Sequence, residues 1–308
     1  EFRRVLFRSP EEFINRSPDF YEAWRQVVLF HEHTWGAHDS VSNPDGENAV
    51  RQWAYKKAIL EKGLSLAAEL ENNLKLKVGL AAENKKGSKV SLDIINTTSL
   101  TRSETVFIPA EISAGLNLAL DENDRALPSQ RLADGSLAVA VSQLAPFSSR
   151  RIRLTTGSSW PGGQARANEN SLENNWLRLQ LDLETGAVRS LVFKPAGNLE
   201  LVETGKFSGL NAYLYVPGTD PTRAQPARVR QISVLEPGPL VASLALELEA
   251  PGCRSLKTII RLSGLEGRVD FLNRLDKIKV REKESVHLAF PFSLPQAEVR
   301  LDLGWATV

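Results

Sequence analysis

Three of the four histidines in this chain lie within eight residues, in Leu29-Phe30-His31-Glu32-His33-Thr34-Trp35-Gly36-Ala37-His38-Asp39-Ser40. Neutral imidazole is the commonest protein ligand for zinc, and a neighbouring carboxylate orients substrate or tunes the metal. That density of groups at one junction marks a piece of an active site without completing a ligand set. His31 and His33 stand two positions apart, about 200° around a helix, so they do not clasp one ion between them. The spacing is not that of the HExxH helix of metalloproteases either. The informative pair is therefore His38-Asp39.

Two helices should position that pair. Ser17-Pro18-Asp19 is a helix start, with Ser as cap, Pro at the first helical position and an acid in the first turn. Phe20, Trp24, Val27, Val28 and His31 follow at helical spacing, and Gly36 ends the pattern. Asn43-Pro44-Asp45 opens a second helix carrying Val50, Trp53, Ala54, Leu60, Leu64 and Ala67 on one side. The histidine cluster thus sits at the top of a helical hairpin. Each residue also has a structural reading: His31 as a hydrogen-bonded core histidine on the apolar stripe, His38 as a corner hydrogen-bonding group, Asp39 as a turn cap and Trp35 as a packing anchor.

From about Lys77 the pattern changes to period two, as in Val90–Ile94, Thr105–Ile108 and Leu137–Val141, which predicts a small antiparallel β-sandwich over 77–155. The Gly-, Ser- and Pro-rich stretch 156–169 reads as a linker. Trp176–Leu181 and Ala187–Val192 flank Glu184-Thr185-Gly186 as a hairpin, and further strands at Leu240–Leu248, Lys257–Leu262, Arg268–Leu272 and Val286–Phe292 make 170–308 a larger β domain. The fold class is multidomain, helical and then all-β. There is no internal repeat.

Glu1–Ser9 reads EFRRVLFRS, the translation of a sequencing-adapter oligonucleotide, and is set aside as an artefact, so that residues 10–76 form the helical part. Arg3, Arg4 and Arg8 against Glu1 contribute +2 of the formal net charge of +1, leaving −1 for the remainder. The absence of Met fits a chain whose start lies upstream. Balanced charge argues for no nucleic-acid partner, and the lack of any apolar stretch near ~20 residues argues for no membrane partner in this portion. The single Cys253 excludes an internal disulfide and reads as a small core residue.

The corner His38-Asp39-Ser40-Val41-Ser42-Asn43, the segment LENNWLRLQLDLETGAVRSLVF, and Ser208-Gly209-Leu210-Asn211-Ala212-Tyr213-Leu214-Tyr215-Val216-Pro217-Gly218 together resemble glycoside hydrolase family 38, the retaining α-mannosidases, over Pro10–Val308. The resemblance implies a helical hairpin left from a three-helix middle domain, a small β-sandwich and a truncated large β-supersandwich with exposed apolar edges and poor solubility. It implies His38 as a zinc ligand, Asp39 as a carboxylate bonding sugar hydroxyls beside the metal, and Tyr213 as an aromatic residue lining the same pocket. Core packing accounts for Tyr213 and Tyr215 equally well. Asn43 departs from the family's common Gly, and Asn adopts left-handed backbone better than other non-glycine residues.

A retaining glycosidase needs two carboxyl groups about 5–5.5 Å apart, as nucleophile and acid/base. In the family both lie on an N-terminal barrel that also supplies the other Zn2+ ligands, so no catalytic residue is expected in this chain. The implied partner is an α-mannoside or mannose-containing glycan, and the fragment alone is expected to be inactive. The alternatives are a non-catalytic carbohydrate-binding or structural β-sandwich protein, and a degenerate homologue that keeps the architecture.

Overall fold

Helix α1 (Ser17–His31) and helix α2 (Glu47–Lys77) meet where their side chains are smallest. A Cβ added at Gly63 would lie 3.1 Å from Gln26 Cβ and 3.9 Å from the Ala23 carbonyl. Ala23 and Gln26 are buried there, and Gln26 Nε2 and Lys62 Nζ both donate to Glu22 Oε1, at 2.7 and 3.1 Å. This corrects the expected stripe: Phe20, Trp24 and Val28 on α1, and Val50 and Leu64 on α2, are exposed. Gly63 lets α2 come close to Ala23 and Gln26 of α1, and the exposed large side chains lie away from that contact.

The computed structural model describes residues 17–31, 39–77, 89–160, 162–203, 209–294 and 298. The chain divides into two compact units, Glu1–Lys86 with the helices and Gly87–Val308 with the β structure. The described portion of the second unit is mostly strand, in several antiparallel sheets.

Its first part is a pair of sheets built from β1 (Lys89–Ile95), β2 (Arg102–Ile108), a short helix α3 (Ala110–Ser113), β3 (Leu118–Leu120), β4 (Ala126–Leu127), β5 (Ser129–Arg131), β6 (Leu137–Leu144) and β7 (Ser149–Thr155). The sheets β1-β7-β3-β4 and β2-β6-β5 enclose Ile108, Leu137, Val139, Val141, Ile152 and Leu154. Arg131 ties the connections: its guanidinium donates to Ser113 Oγ (2.7 Å), Asn117 Oδ1 (3.0 and 2.8 Å) and the carbonyls of Ser113, Leu116 and Gly135 at 2.6, 2.9 and 2.7 Å. Burial pulls its pKa below the usual value.

The second part holds β8 (Arg166–Asn168), β9 (Ser171–Glu173), β10 (Leu177–Leu181), β11 (Val188–Phe193), β12 (Leu199–Glu200), β13 (Ala212–Pro217), β14 (Gln225–Pro226), β15 (Arg228–Pro237), β16 (Val241–Glu249), β17 (Cys253–Ser263), β18 (Val269–Lys277) and β19 (Glu284–Ala289). They form sheets β12-β11-β10-β9-β8, β14-β13-β19 and β15-β16-β17-β18 around a core that includes Leu179, Leu181, Leu210, Leu244, Leu246 and Ile260. The expected linker over 156–169 is corrected here. It contains β8, Ala165 is fully buried, and its N–H donates to the Pro239 carbonyl at 2.9 Å. Gly and Ser suit close backbone approach as well as flexibility.

The two β parts share a seam. Ala138 and Ala140 on the outer face of β6 meet Leu240 and Val241, which explains why Leu137–Val141 is buried on both faces. The Gln130 amide bridges the seam: Oε1 accepts from the Leu240 and Val241 N–H groups at 3.0 Å each, and Nε2 donates to the Val241 carbonyl at 3.0 Å. Buried Glu236 accepts from Ala133 N–H at 2.7 Å. Gly264 lets the turn approach: a Cβ there would fall 2.1 Å from the Pro239 carbonyl oxygen. At the open end of the seam Arg268 joins Glu104 (3.0 Å) and Asp270 (2.9 Å), and Arg102 also pairs with Glu104.

Two expected outcomes follow. Gln130→Ala strands two buried N–H groups and should cost about 2–4 kcal/mol in urea denaturation of the full chain; a change near zero would mean that the clamp is not a structural element. Burial, then the neighbouring Glu104 and Asp270, push the Glu266 carboxyl up, against Arg268 and Arg102. Its folded pKa lies above the unfolded one, so its favourable contribution is present below the unfolded value and disappears as pH rises through the folded value. Glu266→Gln should therefore be more stable than the parent at neutral pH, with the difference shrinking as pH falls into the carboxylate range. A difference that is constant with pH would contradict this.

Candidate functional site

The expected site begins at the corner before α2. The Asp39 carbonyl accepts from Asn43 N–H at 2.8 Å, the Asn43 carbonyl from Gly46 N–H at 3.0 Å, and the Gly46 carbonyl from Val50 N–H at 3.0 Å. One turn thus hands the chain directly into the helix, which starts at Glu47 rather than at Asn43. Asp39 is half-buried. Among the described residues the non-glycine positions with positive φ are Asp124, Gln143, Phe147, Asn198 and Asn211, so this turn does not demand left-handed backbone at Asn43. His33 and His38 lie outside the described residues. His31 is exposed at the last turn of α1, its ring edge-on to Phe30 at 5.1 Å. That corrects its reading as a core histidine; with α1 rotated about Ala23 and Gln26, its end faces solvent.

Strand β13 is placed by backbone approach and buried amides. Gly209 has φ +119°, and a Cβ there would lie 2.1 Å from the Val188 carbonyl oxygen. Only a glycine allows Leu210 and Val188 to exchange their two 2.9 Å backbone bonds beside it. Asn211 is buried at φ +57°. Its amide and that of Asn273 bond reciprocally at 3.1 and 2.7 Å, and Thr258 Oγ1 donates to Asn273 Oδ1 at 2.7 Å.

Tyr213 is 3% exposed, and its hydroxyl donates to the Pro251 carbonyl at 2.5 Å with Cys253 Sγ at 3.4 Å. Burial, together with the Cys253 sulfur, pushes the phenol pKa up. This corrects the expectation of a pocket-lining aromatic: the ring lies in the core and the hydroxyl is already bonded. Tyr215, two residues on and therefore on the same face, reaches the same turn beside Gly252. The Glu284 carboxylate near its hydroxyl pushes the phenol pKa up, and that carboxylate takes Lys277 Nζ at 2.5 Å.

The hairpin expected at Glu184-Thr185-Gly186 is present between β10 and β11. Asp182 explains it. Burial alone would raise its carboxyl, but bonds from Thr185 N–H (2.7 Å), Thr185 Oγ1 (2.9 Å) and Glu184 N–H (3.0 Å) outweigh that and hold the pKa low. Asn174, 2% exposed, accepts from the Trp176 and Leu177 N–H groups at 2.8 and 2.7 Å and donates to the Ser263 and Glu266 carbonyls at 2.7 and 2.9 Å. Nothing in the spacing of Asn174 and Asp182 assigns them a role. Their roles are to fix turns and to tie β9-β10 to the β17-β18 connection.

A polar groove of about 480 Å³ lies along the β1-β7-β3-β4 sheet, with Ser91, Asp93, Asp121, Ser149, Arg151 and Arg153 among its lining. Its arginines are paired locally: Arg151 makes two bonds to Asp93 at 2.9 and 2.8 Å, and Arg153 pairs with Asp124. Among the described residues no group of three or more His, Cys, Asp and Glu side chains could hold a metal ion, and no helix is long and apolar enough to cross a membrane. No protein-family model matches the chain, and no curated protein matches it.

The two core groups are separable by substitution. Tyr213→Phe removes one neutral hydrogen bond and should cost about 1 kcal/mol, whereas Asn174→Ala strands several backbone groups and should cost about 2–4 kcal/mol. Denaturant midpoints check the ranking; a costlier Tyr213→Phe would reverse this account of the two residues.

Proposed function

We propose that this chain is part of a zinc-dependent retaining α-mannosidase of glycoside hydrolase family 38, and that it does not hydrolyse α-mannosides by itself. What supports the reading is the order of elements along the chain: two helices, the second entered through the Asp39–Gly46 turns, and then antiparallel sheets that include the Asn174 and Asp182 turns. In this reading the hairpin is a remnant of a three-helix middle domain, and the last part belongs to a β-supersandwich.

His38 and Asp39 offer one imidazole and one carboxylate, which fits a share of a zinc site and not a whole one, since zinc takes three or four protein donors. A bound zinc would supply a template and Lewis acid for sugar hydroxyls. The role of Asp39 is to accept hydrogen bonds from those hydroxyls and so orient the ring. The corner turn that starts α2 holds its backbone in place. Tyr213 enters as the residue that fastens β13 to the Pro251–Cys253 turn, not as a sugar contact. The nucleophile and the acid/base belong to a barrel outside this chain.

Sequencing the source DNA across the Ser9/Pro10 junction should reveal an in-frame barrel with a His-x-Asp pair and a further Asp. The extended protein should cleave a nitrophenyl α-mannoside, lose activity on chelation and regain it with zinc. His38→Ala should lower both activity and zinc content at least tenfold, while the chain as it stands is inactive. A frame that opens near Pro10, a barrel without those carboxylates, or chelator-resistant activity would contradict the proposal.

A further inference from the structure

A transverse row of polar side chains crosses the sheet β15-β16-β17-β18: Glu236 pairs with Ser243, Ser243 with Arg261, and Arg261 with Asp270. Directly opposed residues share a face, and Val241, Arg261, Ser263 and Asp270 line a crevice of about 50 Å³ together with Glu104, Thr105 and Phe107 of β2. The crevice is therefore the polar end of the seam whose apolar end is Ala138, Ala140, Leu240 and Val241. The Arg261 guanidinium rests on the Phe107 ring, 4.5 Å from its centroid. Three polar atoms of this region are buried with no hydrogen-bond partner: Thr105 Oγ1, Arg261 Nε and Ser243 Oγ, the last in a residue with no exposed surface.

Charge and size select the occupant. The lining carries Glu104, Glu266 and Asp270 against Arg261 and Arg268, so acids outnumber bases and a halide is disfavoured. Arg261 Nε–H can only donate and carries positive charge, so it repels a metal cation. A neutral group that both donates and accepts meets Nε–H on one side and a hydroxyl or carboxylate on the other. A buried water needs 2–4 polar partners and at least ~10–15 Å³ of cavity, which this crevice exceeds.

We propose that the crevice is a built hydration site, in which about one or two ordered water molecules bridge Thr105 Oγ1 and Arg261 Nε across the seam between β2 and β17. The two β parts are then joined by a dry clamp at Gln130 and a wet one at Arg261.

A high-resolution crystal structure of the full chain, grown without halide and then soaked in bromide, tests this. The expected result is water density within hydrogen-bond distance of both Thr105 Oγ1 and Arg261 Nε in every copy, with no anomalous bromide peak. Near-isosteric Thr105→Val should lower that water's occupancy at least twofold. A dry crevice with Arg261 Nε bonded to Glu266 or Asp270, a bromide peak in the crevice, or unchanged water in Thr105→Val would each overturn the proposal. The parent crystal decides the first two by itself even if the variant does not fold.

Discussion

The β structure depends on one constraint: two sheets that each already cover a core also cover each other. The Gln130 side chain satisfies that constraint by answering the backbone N–H groups of Leu240 and Val241 and the Val241 carbonyl, which would otherwise be buried unpaired. Everything at the seam follows from it. Small residues Ala138 and Ala140 face Leu240 and Val241 because the layers are close, and Leu137–Val141 of β6 and the start of β16 are buried on both faces.

A second regularity is that the chain's strongest polar groups bond inward. Arg131 binds the connections around α3, Asn174 and Asp182 each fix a turn, Asn211 and Asn273 pair their amides, and Tyr213 bonds Pro251. Such fully bonded buried groups specify one arrangement of loops. These side chains are thus committed to the geometry of the β unit itself. That is why the proposed function rests on the corner ahead of α2.

Much of the coarse architecture was legible. The switch from period 3.6 to period two separates the helices from the strands, and Asp182-Leu183-Glu184-Thr185-Gly186 reads as a turn because its side-chain and glycine chemistry is local. The helix faces were not legible, because the contact is set by Ala23 and Gly63, whose smallness matters more than the hydrophobicity of Trp24 or Val28. The stretch 156–169 misled for a related reason: its composition resembles a linker, yet Ala165 docks on Pro239. Gln130 gave no signal at all, since its partners lie some 110 residues away. At the candidate site Asp39 stands at a turn as expected, His38 falls outside the described residues, and Tyr213 proved to be core because a strand pattern alone cannot tell a pocket wall from an interior.

The claim that the seam welds the two β parts into one cooperative body is tested most directly by native-state hydrogen exchange of the full chain across a denaturant series. The Leu240 and Val241 amides should share the opening free energy and denaturant sensitivity of the β6 and β16 amides, since opening the seam would require unfolding both parts. Exchange of Leu240 and Val241 through a low-energy, denaturant-insensitive opening, with β6 and β16 still protected, would contradict it.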